Sequence, residues 1–144
     1  MTLNIDGLVS TDKRIQSLHG RSVRIGFQSG GPRYDGVTAL DVAIYNVFGT
    51  RTAPPRDFMG QTMREHKPKI GEACRRVPQA VLDGASPDVV LGQLGLFYQA
   101  LMRWQIPNGN YQGNADSTKK RKGSAKPLVD TGRVLVPNIT YLVR

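Results

Sequence analysis

Cysteine occurs once, at Cys74, histidine twice, at His19 and His66, and glutamate twice, at Glu65 and Glu72. A lone cysteine excludes an internal disulfide scaffold and gives no sign of an oxidising compartment. The two histidines share no HxH, HExxH or CxxC spacing, so a metal site has no support, and each reads as a surface or helix-end residue. Arg75 and Arg76 beside Cys74 would favour a thiolate, yet its place on the apolar side of an expected helix reads as core filling rather than a reactive thiol. With so few glutamates, and aspartates scattered through turns and caps, no catalytic carboxylate pair can be assembled, and no Gly-x-Ser-x-Gly elbow is present. Gly26, Gly30, Gly31 and Gly36 fall between a strand and a helix, but neither Gly-x-Gly-x-x-Gly nor Gly-Lys-Ser/Thr occurs, so they read as a plain connecting loop rather than a phosphate cradle. Long apolar runs are missing too: nothing approaches about 18 consecutive apolar residues, and the N-terminal stretch lacks the basic-then-apolar plan of a signal peptide. These absences point to an intracellular chain outside the membrane.

What is present suits one domain. The chain has 144 residues, 39% hydrophobic and 22% charged, with a formal charge of +9. A chain of this size buries roughly 68 to 70% of its unfolded surface and folds without staples. Its charge is uneven: residues 103–144 carry eight basic residues against two aspartates, which is +6 of the +9. Most of that sits in Lys119, Lys120, Arg121, Lys122 and Lys126, a run that repels itself until a polyanion or acidic surface meets it.

Periodicity predicts a short helix capped by Thr11, carrying Ile15 and Leu18 and ending near Gly20. Ser22 to Phe27 alternates as a half-buried strand, closed by the turn cluster Ser29-Gly30-Gly31-Pro32. Val37, Leu40, Ala43, Ile44, Val47 and Phe48 recur at helical spacing on one stripe, with Asp41 and Asn46 free to face elsewhere and Gly49 as the stop. Residues 49–56 read as an extended connector because Pro54 and Pro55 constrain both themselves and their predecessors. Helical character resumes at Asp57 until Pro68, then over 68–83, then from the start signal Ser86-Pro87-Asp88 to about Pro107 as the main core helix. Residues 108–127 lack periodicity and read as a long, mobile basic loop, in which Tyr111 could stack on a base. That loop has four readings: phosphate contact, a solvated charged segment, an assembly element that orders between subunits, or nuclear targeting. Pro127-Leu128 with Asp130, Thr131 and Gly132 reads as the turn where the loop re-enters the fold. Ile139, Tyr141 and Val143 share one face of a last strand that can pair with the first. The fold class is α+β: a small, mostly antiparallel sheet packed against three to four helices, with one long basic loop.

Several stretches in order resemble a bacteriophage family, the small tail-completion or minor tail proteins of the head-to-tail junction in long-tailed phages. They are Val23-Arg24-Ile25-Gly26-Phe27, Tyr34-Asp35-Gly36, residues 42–50 through Phe48-Gly49-Thr50, Pro54-Pro55-Arg56-Asp57-Phe58, Lys122-Gly123-Ser124, Lys126 through Asp130-Thr131-Gly132, and Ile139-Thr140-Tyr141-Leu142-Val143. The resemblance covers residues 20 to 144. Two positions depart from the family pattern: Val47 stands where an acid is common, and Pro55-Arg56-Asp57-Phe58 replaces a Pro-x-Arg-Pro-Phe form. The resemblance implies a virion structural protein without enzymatic activity or cofactor, assembled in the host cytoplasm, which completes the tail and joins it to the head. Implied partners are further copies of itself in a hexameric ring, the tail tube or terminator protein, neck and connector proteins, and passing genomic DNA, but no membrane. In this picture residues 108–127 project and order on assembly, while Phe48, Gly49, Thr50, Pro55, Arg56 and Phe58 form a connector packed between the first strand and the helices. The alternatives are a tail terminator and a small DNA-binding protein using the basic loop.

Overall fold

The structure is a computed structural model describing residues 5–27, 33–34, 36–113 and 128–144. The turn cluster at 29–32 and the basic run Lys119, Lys120, Arg121, Lys122 and Lys126 lie outside these residues. In chain order the elements are α1 (Ile5–Gln16), β1 (Val23–Phe27), β2 (Arg33–Tyr34), β3 (Val37–Thr38), α2 (Ala39–Phe48), α3 (Phe58–Glu65), α4 (Lys67–Leu82), α5 (Pro87–Asn108), α6 (Val129–Asn138) and β4 (Ile139–Val143). This is the α+β class expected, with six helices among the described residues.

Alternation in the two longer strands lets each bury one face, and they pair antiparallel from Val23 opposite Val143 to Phe27 opposite Ile139. Ser22 and Arg144 extend the ladder, each N–H donating to the other's carbonyl at 2.7 and 3.0 Å. The apolar face of this ribbon lies on α5, where buried Gly95 admits the Tyr141 ring; a Cβ there would overlap it. Gln99 and Arg103 of α5 both donate to the Ile139 carbonyl, tying the start of β4 to the helix. β2 and β3 make a second, minimal antiparallel pair, and Gly36 between them holds φ at 84°.

Caps explain the helix starts. Thr38 and Asp41 form a reciprocal capping box on α2, leaving Val37 in β3 rather than in the helix. The buried side of α2 is Ala39, Ala43 and Asn46, while Ile44, Tyr45 and Phe48 face outward. The expected stripe is therefore rotated: small residues let α2 approach α6 closely, and Asn46 is tolerated inside because its Nδ2 donates to the Val42 carbonyl at 2.7 Å. Pro68 sits in the first turn of α4, as the helix expected over 68–83 requires, since a proline there sacrifices no intrahelical bond, and α3 ends just before it at Glu65. α1 begins well before Thr11 and stops at Gln16, after which residues 17–20 continue as turns; Arg14 Nη1 pins it to α4 by donating to the Leu82 carbonyl at 2.6 Å. Asp130, Thr131 and Gly132 lie in the first turn of α6, not in a turn outside helix. The helix is carried by its apolar neighbours, with Leu135 and Ile139 fully buried. Cys74 is exposed on α4, correcting its reading as core. Val77 and Val81 form the inward side of that helix instead.

Two apolar clusters result. One joins Ala43, Phe58, Met102, Ile106, Leu128, Leu135 and Ile139; the other joins Val77, Val81, Val90 and Leu91. Phe58, at zero exposure, stands edge-on to Phe27 with ring centroids 6.1 Å apart, linking α3 to the strand pair. No helix among the described residues is long and apolar enough to cross a membrane. Phe58→Ala is expected to cost about 3 to 5 kcal/mol, read as a lower urea midpoint, with the slope of the unfolding curve unchanged.

Candidate functional site

The connector between α2 and α3 is held by its own backbone chemistry. Gly49 ends α2 with φ at 76°, and a Cβ there would lie 2.9 Å from both the Ala53 carbonyl and the Pro55 nitrogen. Glycine is required twice over, by conformation and by space. Thr50 Oγ1 accepts from the Ala53 amide at 3.1 Å, and the Thr50 amide donates to the Ala53 carbonyl at 2.9 Å. The chain then returns, so that the Arg56 amide donates to the Asn46 carbonyl at 2.6 Å. Asp57 Oδ1 accepts from the Gly60 amide at 2.7 Å and caps α3.

Its two phenylalanines have opposite fates. Phe58 plugs the core, whereas Phe48 is 77% exposed, beside exposed Ile44 and Tyr45 one turn earlier. Of the two phenylalanines Phe58 alone is enclosed, and the expectation that Phe48 is enclosed as well is corrected. Pro55 is exposed and Arg56 half-buried. A surface apolar cluster of this kind, with one aromatic almost fully in water, is what protein contact sites present.

The segment after α5 is tied to the same place. Tyr111 donates from its hydroxyl to the Gln105 carbonyl at 2.8 Å, and Arg56 Nε donates to the Gln112 carbonyl at 3.1 Å. Gln61 bridges the two, contacting Glu65 at 2.7 Å and the Asn110 carbonyl at 3.4 Å. These groups enclose a cleft of about 410 Å³ between Arg56, Gln61, Arg64, Glu65 and Tyr111. Tyr111 is consequently a packed, half-buried residue rather than a free stacking platform. Burial pushes its phenol well above the ordinary range, with the Glu65 charge adding to the effect. Burial also lowers the Arg56 pKa.

Glu65 is held below the usual carboxylate range by hydrogen bonds, first from Gln105 and then from Gln61, with the charges of His66 and Arg64 assisting against desolvation. Gln105 is fully buried and its Nε2 reaches Glu65 Oε2 at 2.8 Å. His66, at the junction of α3 and α4, stands edge-on to Trp104 at 5.6 Å, a helix-end histidine as expected. Among the described residues no group of three or more His, Cys, Asp or Glu could hold a metal ion.

The structure thus joins Arg56 to the root of the basic segment, a juxtaposition periodicity could not provide. It also adds Ile44 and Tyr45 to the outward face, and Gln61, Glu65, Asn110 and Gln112 to the cleft. The clue to the former was a surplus, because α2 has more apolar positions than one buried stripe can use. No protein-family model, no curated protein and no solved structure matches this chain.

Gly49→Ala is expected to destabilise the fold by more than about 1 kcal/mol, through left-handed strain and the Pro55 contact, measured by chemical denaturation. Gln105→Leu should return the Glu65 carboxyl toward its ordinary value near about 4.3, followed by carboxyl-carbon NMR titration. Since the folded value lies below the unfolded one, the stability linked to Glu65 is present at neutral pH and lost as pH falls through the depressed value. The variant should lack the Gln105 share of that increment and keep the part due to Gln61.

Proposed function

We propose that this chain is a bacteriophage virion structural subunit of the neck or tail end, which completes the tail and joins it to the head as one member of a ring. The observation that carries the reading is the uncovered apolar face of Ile44, Tyr45 and Phe48. It lies at the start of residues 48–58, which contain two of the several stretches whose order carries the family resemblance. A subunit whose task is to be covered by others needs such a face, and needs it mounted rigidly. Gly49, Thr50 and the Asn46–Arg56 backbone bond supply that mounting.

The remaining parts have assigned tasks in this reading. Arg56 anchors the root of the basic segment beside the rigid connector, so that Lys119, Lys120, Arg121, Lys122 and Lys126 are delivered to an axial partner or to DNA passing the ring. Asp130, Thr131 and Gly132 open the helix on which the chain re-enters the fold. The partners are further copies of the chain, the tail tube or terminator protein, and neck proteins; the destination is the virion.

Complementation tests the proposal. Deletion of the gene from its phage should leave full heads beside unattached tails in negative stain, and added purified protein should restore joined, infectious particles. Phe48→Ser, which alters only an exposed side chain, should fold normally yet restore at least about tenfold fewer joined particles, as expected for loss of an aromatic anchor. Joined virions in the deletion lysate would overturn the role. Tails of uncontrolled length would move the assignment to a tail terminator. Retention on DNA that falls steeply with salt, and vanishes when the five loop cations are neutralised, would instead support the DNA-binding reading.

A further inference from the structure

Helix α5 is apolar on two sides. One side covers the strand pair through Leu91, Gly95, Met102 and Ile106. The other carries Val89, Leu96, Phe97 and Trp104, all exposed, which lie within about one quadrant of the helix at two-turn intervals, with Gln93 and Ala100 between them. In 22 residues the helix has only two charges, and both are engaged elsewhere, Asp88 with Arg21 and Arg103 with the Ile139 carbonyl. The stripe runs about 22 Å from Val89 to Trp104. Alongside it, between α4 and α5, lies a groove of about 390 Å³ with Val77, Val90, Leu94 and Phe97 in its walls and, at its edge, exposed Lys69 and an ion pair of Arg76 with Glu72.

We propose that this groove and stripe receive the Ile44–Tyr45–Phe48 face of a neighbouring copy of the chain, so that subunits join head to tail. Three observations select a second copy as the occupant. The first is that the chain has two uncovered apolar faces on separate elements, α2 packed chiefly on α6, β1 and β3, and α5 flanked by α4. Two unlike faces meeting give a heterologous contact, which propagates from subunit to subunit. The second is electrostatic. A chain of +9 repels its copies, and contact is tolerable only where neither surface brings cations together. The α5 stripe has no charge; the groove edge, with Arg76 paired to Glu72, keeps the net positive charge of Lys69, and the single charge on α2, the Asp41 carboxylate that also caps that helix, is of opposite sign and on the side of Tyr45 and Phe48. The third is shape, since Phe48 protrudes at a helix end while the α4–α5 surface is concave.

The contact rests on the ring reading for its biological setting, but it is a property of the isolated chain and is tested there. Sedimentation velocity of the full chain should show association, and emission of the single tryptophan, Trp104, should shift to the blue as association removes it from water. Phe48→Ser and Leu96→Ser should each weaken association by about tenfold or more, with unchanged circular dichroism. Mixed one to one, the two variants should form a discrete heterodimer, because each retains the face the other lacks. A wild type that stays monomeric at every concentration overturns the proposal. So does undiminished association of Phe48→Ser, which would reveal a two-fold contact of α5 with itself, and so does a mixture that remains monomeric. Association as described, together with normal head-to-tail joining in phage lacking the protein, would defeat the proposed function and leave the contact standing.

Discussion

The pairing of β1 with β4 is the constraint on which the other elements depend. Each strand is five residues long, and a two-stranded ribbon in water is marginal on its own. It persists because α5 covers its apolar face, with Gly95 making room for Tyr141 and Ile139 held by two side chains of the helix. α6 runs directly into β4, so the ladder also sets where α6 lies, and α2 is placed against α6 in turn. The Phe27 ring at the end of β1 meets Phe58, which positions α3 and the connector before it. Loss of the strand pair would therefore release more than a sheet.

The connector shows how a short stretch of chain can serve the interior and the surface together. Pro54 and Pro55 stiffen it, Gly49 turns it, and the Asn46–Arg56 bond closes it on itself. With that frame set, nine residues separate a phenylalanine in water from one in the core. The cost of leaving Phe48 exposed is a loss of hydrophobic stabilisation on the order of 2 kcal/mol relative to burial, which association with another surface would recover.

Legibility in the sequence followed the range of the interaction. Both long strands, their antiparallel pairing, the Ser86-Pro87 helix start and the Gly49 stop were readable, because alternation and capping are local. The inward side of α2 was misread. Asn46 counts as polar in any periodic pattern, and only its bond to the Val42 carbonyl and the close approach of α6 make it a core residue. Asp130-Thr131-Gly132 has turn chemistry, and packing of Leu135 overrode it. Cys74 lies three and seven residues before buried Val77 and Val81, on their side of α4, but it lines an open cavity of about 550 Å³ with Met63, Ile70 and Leu94, which leaves it exposed. In the candidate site, the glycine and prolines of the connector are visible in the sequence, but Gln61, Asn110 and Gln112 are not, because polar side chains bridging distant loops leave no periodic trace.

Because β1 has no ladder partner until β4 exists, synthesis imposes a waiting time. At about 5 to 20 residues per second, on the order of ten seconds separate the two strands as the chain leaves the ribosome. During that interval β1 presents open backbone edges, and the α5 surface that will hold it is itself unfinished. A product arrested before residue 139 lacks the strand that locks Ile25 and Phe27 in place, so its α2 and connector are not fixed relative to α5. Synthesis of the last five-residue strand is therefore the step after which the outer faces of α2 and α5 hold a fixed mutual arrangement.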